Sequence, residues 1–463
     1  METADLTPLE SRIRYAFQRG EPVDVRPEHP SPGATSGADR SGDAPGPSVR
    51  AAALRSLLLS SPVEGGEIPA LRLSGVTVAG RLDLAYAEIP YQVELRNCDF
   101  DMPVELSAAR LRQLDLRGSR LPSLTATGLR IEGDLHLADC RVSGPVQLAY
   151  ARVEGNISAA RLWAESEVHL EAVQVSCALD LEDARLHNPG GHALNAASIN
   201  VGTVLNAGGL DAEGKVRLTG ARVGGWISFI EARLRNPGGV ALGLSSCEAR
   251  QLTLRDAVPI EGDVRLHYST FKAIEADPAV WPSSVRLDGL VYESLSPRLP
   301  AARRLPLLER DPDGFVPHSY DQLAHSYRGA GEDGEARTVL LAAQRRHRRT
   351  MAWPTRMWGH VQDVTVGYGF RPARAVTWLL ALMLVGSLAY GLHEPQRAEA
   401  GKGPDFNALV YAADLLLPVV DFGQEKAFTP TGVHQWLAYL LIAAGWVFAT
   451  TAAAGVTRSL KRQ

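Results

Sequence analysis

The sequence holds few of the features that mark an enzyme or a secreted protein. Its 463 residues include four cysteines, Cys98, Cys140, Cys177 and Cys247. They form no CxxC pair and show no zinc-ligand spacing. Cys98, Cys140 and Cys247 fall in a slot held elsewhere by Ala87, Ala109, Ala151, Ala184, Ala221 and Ala232, which reads as a small buried filler. There is no GxGxxG, P-loop, HExxH or GxSxG. His136, His169, His187, His192 and His267 are scattered with no spacing that pairs a nucleophile with a base. No catalytic residue, cofactor or metal site is therefore assigned. Lysine is scarce, with five residues, and the net charge is −4, so no nucleic-acid partner is expected. The acidic start Met1-Glu-Thr-Ala-Asp5 lacks the apolar core of a signal peptide. The main body of the chain is thus expected in the cytoplasm, where thiols stay reduced.

What is present is a repeat. Leu135-His-Leu137-Ala-Asp-Cys140-Arg141-Val142 returns as Val146-Gln-Leu148-Ala-Tyr-Ala151-Arg152-Val153, and again as Leu179-Asp-Leu181-Glu-Asp-Ala184-Arg185-Leu186. The second anchors, Leu84, Leu95, Leu106, Leu116, Ala126, Leu137 and Leu148, are ten or eleven residues apart. A unit this short cannot bury its own apolar face, so units must stack. Alternation with period two makes each phrase a strand. The fold is predicted to be mainly β: a right-handed β-helix over 68–292, with a coil of two phrases, about 22 residues. Gly80, Gly133, Gly144, Gly155, Gly214, Gly225 and Gly262 precede the strands and are expected at positive-φ corners.

The phrase arginine recurs at Arg110, Arg120, Arg130, Arg141, Arg152, Arg161, Arg185, Arg222 and Arg233. Stacking would set these in one or two columns, a candidate ladder for an anionic ligand. The competing reading is a solvated ladder neutralised by Asp115, Glu132, Asp139, Glu182 and Asp183. Asn188-Pro189-Gly190-Gly191 returns 48 residues later as Asn236-Pro237-Gly238-Gly239. These turns are candidates for a binding rim, because insertions in repeat proteins collect on one face.

Around the solenoid the chain divides as follows. Residues 1–48 read as a short helix and a disordered linker. Residues 49–67 hold a leucine-faced helix that caps the first coil. A proline-punctuated connector and a helical hairpin occupy 293–350, and a juxtamembrane segment 351–374. In 375–463 two apolar runs, Ala375–Leu392 and Gln435–Thr457, are each long enough to cross a bilayer. Arginines flank their outer ends, which places both termini in the cytoplasm and makes the chain a multi-pass protein of a bacterial inner membrane. Between the runs, Phe406, Tyr411, Asp414, Pro418 and Asp421 mark a candidate pore-lining or interfacial segment. Small residues such as Ala444, Gly445, Ala449 and Ala453 in the second run suit close helix packing between protomers, hence a homo-oligomer.

Several of these pieces resemble a known family. They are Val49-Arg50-Ala51 with Leu57-Leu58-Leu59, Gly80-Arg-Leu-Asp-Leu84, Tyr320-Asp-Gln-Leu-Ala324 with Arg328, Tyr368-Gly-Phe-Arg-Pro372, Asp414-Leu-Leu-Leu-Pro418 and Ala454-Gly455-Val-Thr-Arg458. They resemble an actinobacterial family labelled "membrane-associated oxidoreductase", and the coils are similar to bactofilin and pentapeptide-type solenoids. The label implies redox chemistry, but no nicotinamide, flavin, haem or dithiol motif stands beside it here. The reading from the residues is a non-enzymatic, membrane-anchored scaffold, sensor or interaction module. Its expected partners are a lipid bilayer and an unknown protein or anionic ligand on the solenoid. The alternatives are an oligomeric pore gated by the solenoid, and the oxidoreductase of the family label.

Overall fold

A computed structural model describes residues 6–25, 47–60, 68–349, 372–398, 405–417 and 420–460. The chain forms two compact units, 1–336 and 337–463.

The first unit is a β-solenoid of about ten turns. One coil shows how the phrase folds. Arg130–Ile131, Leu135–His136, Arg141–Val142 and Val146–Gln147 are four two-residue strands, one to each side of the coil. The first two join a 17-stranded sheet and the last two a 16-stranded sheet. Neighbouring coils pair in parallel: Arg130 faces Arg152, and Leu135 faces Ile157, each 22 residues on. Ile131, Leu135, Leu137, Cys140, Val142, Val146, Leu148 and Ala151 all point inward and are buried. The anchors of the sequence phrase are thus the core, and the residues between them face outward.

The corners differ from expectation. Gly80, Gly214 and Gly262 do take positive φ, but Gly133, Gly144, Gly155 and Gly225 do not. The recurrent left-handed corner lies one residue before the small slot. Asp139 (φ 59°), Tyr150 (φ 61°), Arg161 (φ 56°), Asp183 (φ 55°) and Glu231 (φ 57°) occupy it. A non-glycine residue there costs ~1–2 kcal/mol. The ladder holds it in place: Asp139 N–H donates to Ala160 O at 2.9 Å, and Cys140 N–H closes the turn on Leu137 O at 3.2 Å. The other glycines serve close packing between coils. A Cβ on Gly144 would sit 2.6 Å from Pro122 O.

Both ends of the solenoid are covered. Pro22–Asp24 pairs with Ala70–Ser74, and Ser48–Arg50 pairs with Thr77–Ala79. Part of the expected linker is therefore a partial coil of its own. Helix α1 (Pro8–Arg19) is fixed by a Thr7–Glu10 capping box. Glu10, 3% exposed, also accepts from Arg50 Nε at 2.8 Å and Arg50 Nη2 at 2.6 Å. Helix α2 (Ala51–Leu58) buries Ala51, Leu54 and Leu58. It starts at Ala51 rather than Val49 because Arg50 is still strand. After the last solenoid strand, Val291–Ser296, the expected connector contains helix α3 (Ala301–Leu308). Helix α4 (Pro317–Gly329) then packs on that strand. Gln322 Nε2 donates to Tyr292 O at 2.5 Å and Tyr327 Oη to Leu299 O at 2.6 Å. Gly331 (φ 78°) leads into α5 (Asp333–Arg349).

The second unit holds α6 (Pro372–Leu392), α7 (Ala408–Leu416) and α8 (Val433–Leu460). The two expected transmembrane helices are corrected here. Among the described residues, no helix is long and apolar enough to cross a membrane. Part of the apolar surface of α6 and α8 is used internally. Tyr390, Tyr411, Leu415, Leu416, Phe428, Ala438 and Leu441 form one buried cluster. Tyr390 meets Tyr411 edge-on at 4.9 Å and donates to His434 O at 2.9 Å. A gated pore would need both spans. The juxtamembrane segment lies outside the described residues except for Pro372, Ala373 and Arg374, which open α6.

Candidate functional site

The ladder arginines divide between the two sheets. One column of the first sheet runs Glu88, Arg110, Arg130, Arg152, Gln174, Asn200, Arg222, Glu248. One column of the second sheet runs Asp99, Arg120, Arg141, Trp163, Arg185, Asp211, Arg233. All eight arginines are exposed. Arg161 leaves the ladder. It occupies a corner and pairs with Asp139 of the previous coil at 2.6 Å. Trp163 stands in the slot instead. The reason is register: Ile157, Ala159, Leu162 and Ala164 are the buried anchors of that coil, so the outward slot after the filler is residue 163.

Two of the expected neutralising acids, Asp115 and Asp139, are engaged elsewhere. Asp115 is fully buried and held by Arg96 at 2.8 Å and Arg117 at 2.6 Å. Burial opposes its charge, but these two guanidiniums still hold its pKa below the usual range. Asp139 is taken by Arg161. Among the ladder arginines, Arg120 lies 3.8 Å from Asp99, with both side chains largely exposed. Such a pair contributes little. Arg185 sits 5.7 Å over the indole of Trp163. Arg110, Arg130, Arg141, Arg152, Arg222 and Arg233 have no ion pair within 4.0 Å among the described residues.

The second-sheet column carries a groove. It encloses about 480 Å³ and is lined by Arg120, Pro122, Arg141, Ser143, Trp163 and Glu165, with Phe100, Leu121 and Val142. Successive rungs ~4.8 Å apart therefore present guanidinium, guanidinium, indole and guanidinium along one line. Trp163 is 40% exposed, unusual for so large an apolar side chain. A planar guanidinium binds a carboxylate, sulfate or phosphate through paired N–H donors. An open indole adds a flat apolar contact.

The two Asn-Pro-Gly-Gly turns lie on the same sheet, two coils apart, within Arg185–Asn195 and Arg233–Gly243. Each asparagine closes its own turn: Asn188 Nδ2 donates to His192 O at 2.8 Å, and Asn236 Nδ2 to Val240 O at 2.9 Å. Pro189, Gly190, Pro237 and Gly238 are exposed, while Gly191 and Gly239 are half-buried.

The segment between α6 and α8 is not an open lining. Tyr411 is 1% exposed, Asp414 4%. Asp414 accepts from the N–H groups of Phe422, Gln424 and Glu425 at 2.7, 2.8 and 2.7 Å, so it orders the following loop. Phe406 packs on Tyr411 and Phe428. Asp421 is exposed and pairs with Lys426 at 2.6 Å. Pro418 lies outside the described residues.

The cysteines are all free. Burial pushes the Cys98 thiol up to about 11, and those of Cys140 and Cys247 up to about 12. Thiols held neutral in this way are poor nucleophiles. Among the described residues no group of three or more His, Cys, Asp or Glu side chains is placed to hold a metal ion.

Fold and surface together define a β-solenoid with a basic, aromatic-punctuated groove along one sheet. A scan against family models, a search of curated proteins and a search of solved structures each return no match.

Proposed function

We propose that the chain is a binding scaffold whose solenoid holds an elongated anionic ligand along Arg120, Arg141, Trp163 and Arg185. One observation carries the reading. Arg120, Arg141 and Trp163 stand on consecutive rungs and line a 480 Å³ groove, Arg185 stands on the next rung, and Arg141 has no acidic partner within 4.0 Å among the described residues. A row of cations at strand spacing matches a chain of regularly placed charges better than it matches one compact ion. The net charge of −4 limits the attraction to this stripe, which favours a short polyanion over nucleic acid. The reading keeps the solenoid in a reducing compartment such as the cytoplasm, supported by its four free cysteines.

The test is fluorescence anisotropy with a labelled acidic polysaccharide at low ionic strength. Wild-type protein should bind, with affinity falling as salt screens the exposed charges. Arg141→Glu and Trp163→Ala should each weaken binding about tenfold, roughly 1.4 kcal/mol. Wild-type affinity in both variants would refute the assignment.

A further inference from the structure

A second basic cluster lies further along the second sheet, on its other strand column. Consecutive rungs there carry Asn195, Arg217, Gly243 and Arg265. With rungs ~4.8 Å apart, Arg217 and Arg265 flank a position that has no side chain. Gly243 is itself buried, but no atom crowds it. A Cβ placed there would meet nothing closer than Val216 O and Val240 Cγ1 at 3.8 Å and Lys215 Cε at 3.9 Å. The end of the Lys215 stem therefore rests against the gap between the two arginines.

These cations differ from others of similar burial. Arg235 is matched by Asp211 at 3.0 Å and Glu213 at 2.7 Å, and Arg96 and Arg117 share Asp115. Lys215, Arg217 and Arg265 are half-buried, yet no carboxylate lies within 4.0 Å of any of them among the described residues. Arg265 Nε is buried with no hydrogen-bond acceptor. Asp263 is the nearest acid along that strand, and it stands opposite Val240 rather than Gly243. Burial lowers the Lys215 pKa, and Arg217 and Arg265 lower it further. Partly buried charges without a counter-charge are costly, and a bound anion removes that cost.

We infer that Lys215, Arg217 and Arg265 bind a phosphate group over Gly243. One ammonium and two guanidinium forks suit a compact dianionic oxyanion better than a single carboxylate. The site shares no residue with the Arg120–Trp163 groove, so either can fail alone.

The experiment titrates the full chain with inorganic phosphate and, separately, with an alkyl phosphate monoester, by calorimetry against chloride at matched ionic strength. Both Arg265→Gln and Gly243→Glu should weaken phosphate binding about tenfold or more. In the latter a carboxylate supplied by the chain itself neutralises the cluster, and its Cβ has room. Arg250→Glu, an exposed change on the first sheet outside both clusters, should leave phosphate binding unchanged, and far-UV circular dichroism should show each variant folded. Tighter binding of the monoester would place the phosphate on a larger ligand, and equal affinity would make it free phosphate; both uphold the site. No phosphate-specific heat in the wild type, or wild-type binding in folded Gly243→Glu, would overturn it.

Discussion

The guanidinium of Arg185 lies 5.7 Å over the indole of Trp163, one rung away on the same strand column. The contact is worth roughly 0.5–1 kcal/mol at an exposed site, too little to explain why so large an apolar side chain stands 40% exposed. In the account given above, Arg185 holds the indole in place beside the groove. Trp163→Phe should keep most of the polysaccharide affinity and Trp163→Leu should lose most of it, read by the same anisotropy titration. Equal losses in the two would mean that the ring is not a contact surface.

Glu165 lines the same groove and is its one acidic wall. An anion seated there is repelled by it. Glu165→Gln should therefore strengthen polyanion binding a few-fold, with a shallower salt dependence. Weaker binding in this variant would mean that Glu165 orients the arginines rather than opposing the ligand.

The Glu10–Arg50 clamp ties the first helix to the partial coil ahead of the solenoid. Arg50 hydrogen-bonds hold the Glu10 carboxyl at about 2, against an ordinary value of 4.5. Its folded pKa is depressed, so its stabilisation is present above about pH 4.5 and lost as pH falls towards 2. Glu10→Gln should cost about 1–3 kcal/mol at pH 7, and almost nothing near pH 2. Urea midpoints of wild type and variant across that range check the convergence. A constant gap would show that the effect is not ionic.

Two glycines on neighbouring rungs should tolerate alanine very unequally. Gly214 has φ 121°, and a Cβ there would lie 2.4 Å from Asn188 O in the first Asn-Pro-Gly-Gly turn. Gly243 has no positive φ, and a Cβ there would make ordinary van der Waals contacts, none closer than 3.8 Å. Gly214→Ala should destabilise the first unit by roughly 2 kcal/mol or more, and Gly243→Ala by less than about 0.5 kcal/mol. Chemical denaturation reads both directly.

Thiol chemistry offers a check on the core. Cys98, Cys140 and Cys247 are buried, with pKa values raised to about 11–12, whereas Cys177 is only half-buried. In native protein at pH 8 a thiol reagent should modify Cys177 quickly and the other three only on unfolding. Fast reaction of Cys140 would mean that the coil is not closed.

The sequence carried the coil because its period is a packing constraint. Leu135, Leu137, Cys140 and Val142 must all face inward, and that spacing survives any change outside. The outward slots obey no such rule, so letters mislead there. The string Ala160-Arg161-Leu162 imitates the ladder phrase, yet counting from Ile157 and Ala159 puts Trp163 in the slot. Counting anchors would have found it. The corners were misread because the ladder hydrogen bonds stabilise positive φ at Asp139 or Tyr150, and glycine is not required. The apolar runs that became α6 and α8 show a different limit. Apolar length alone does not separate a helix that crosses a bilayer from one that buries Tyr390 and Leu441 against a neighbour. The phosphate cluster was invisible in sequence because Arg217, Gly243 and Arg265 meet only through the 26- and 22-residue spacing of the coils.

The most direct measurement of the binding-scaffold account is arginine footprinting. Full-length protein is treated with phenylglyoxal, with and without an acidic polysaccharide, and each peptide is quantified by mass spectrometry. The account predicts protection of Arg120, Arg141 and Arg185 on the second sheet, with Arg110, Arg130 and Arg152 on the first sheet still reactive. Equal protection of both columns, or none at Arg141, would contradict it.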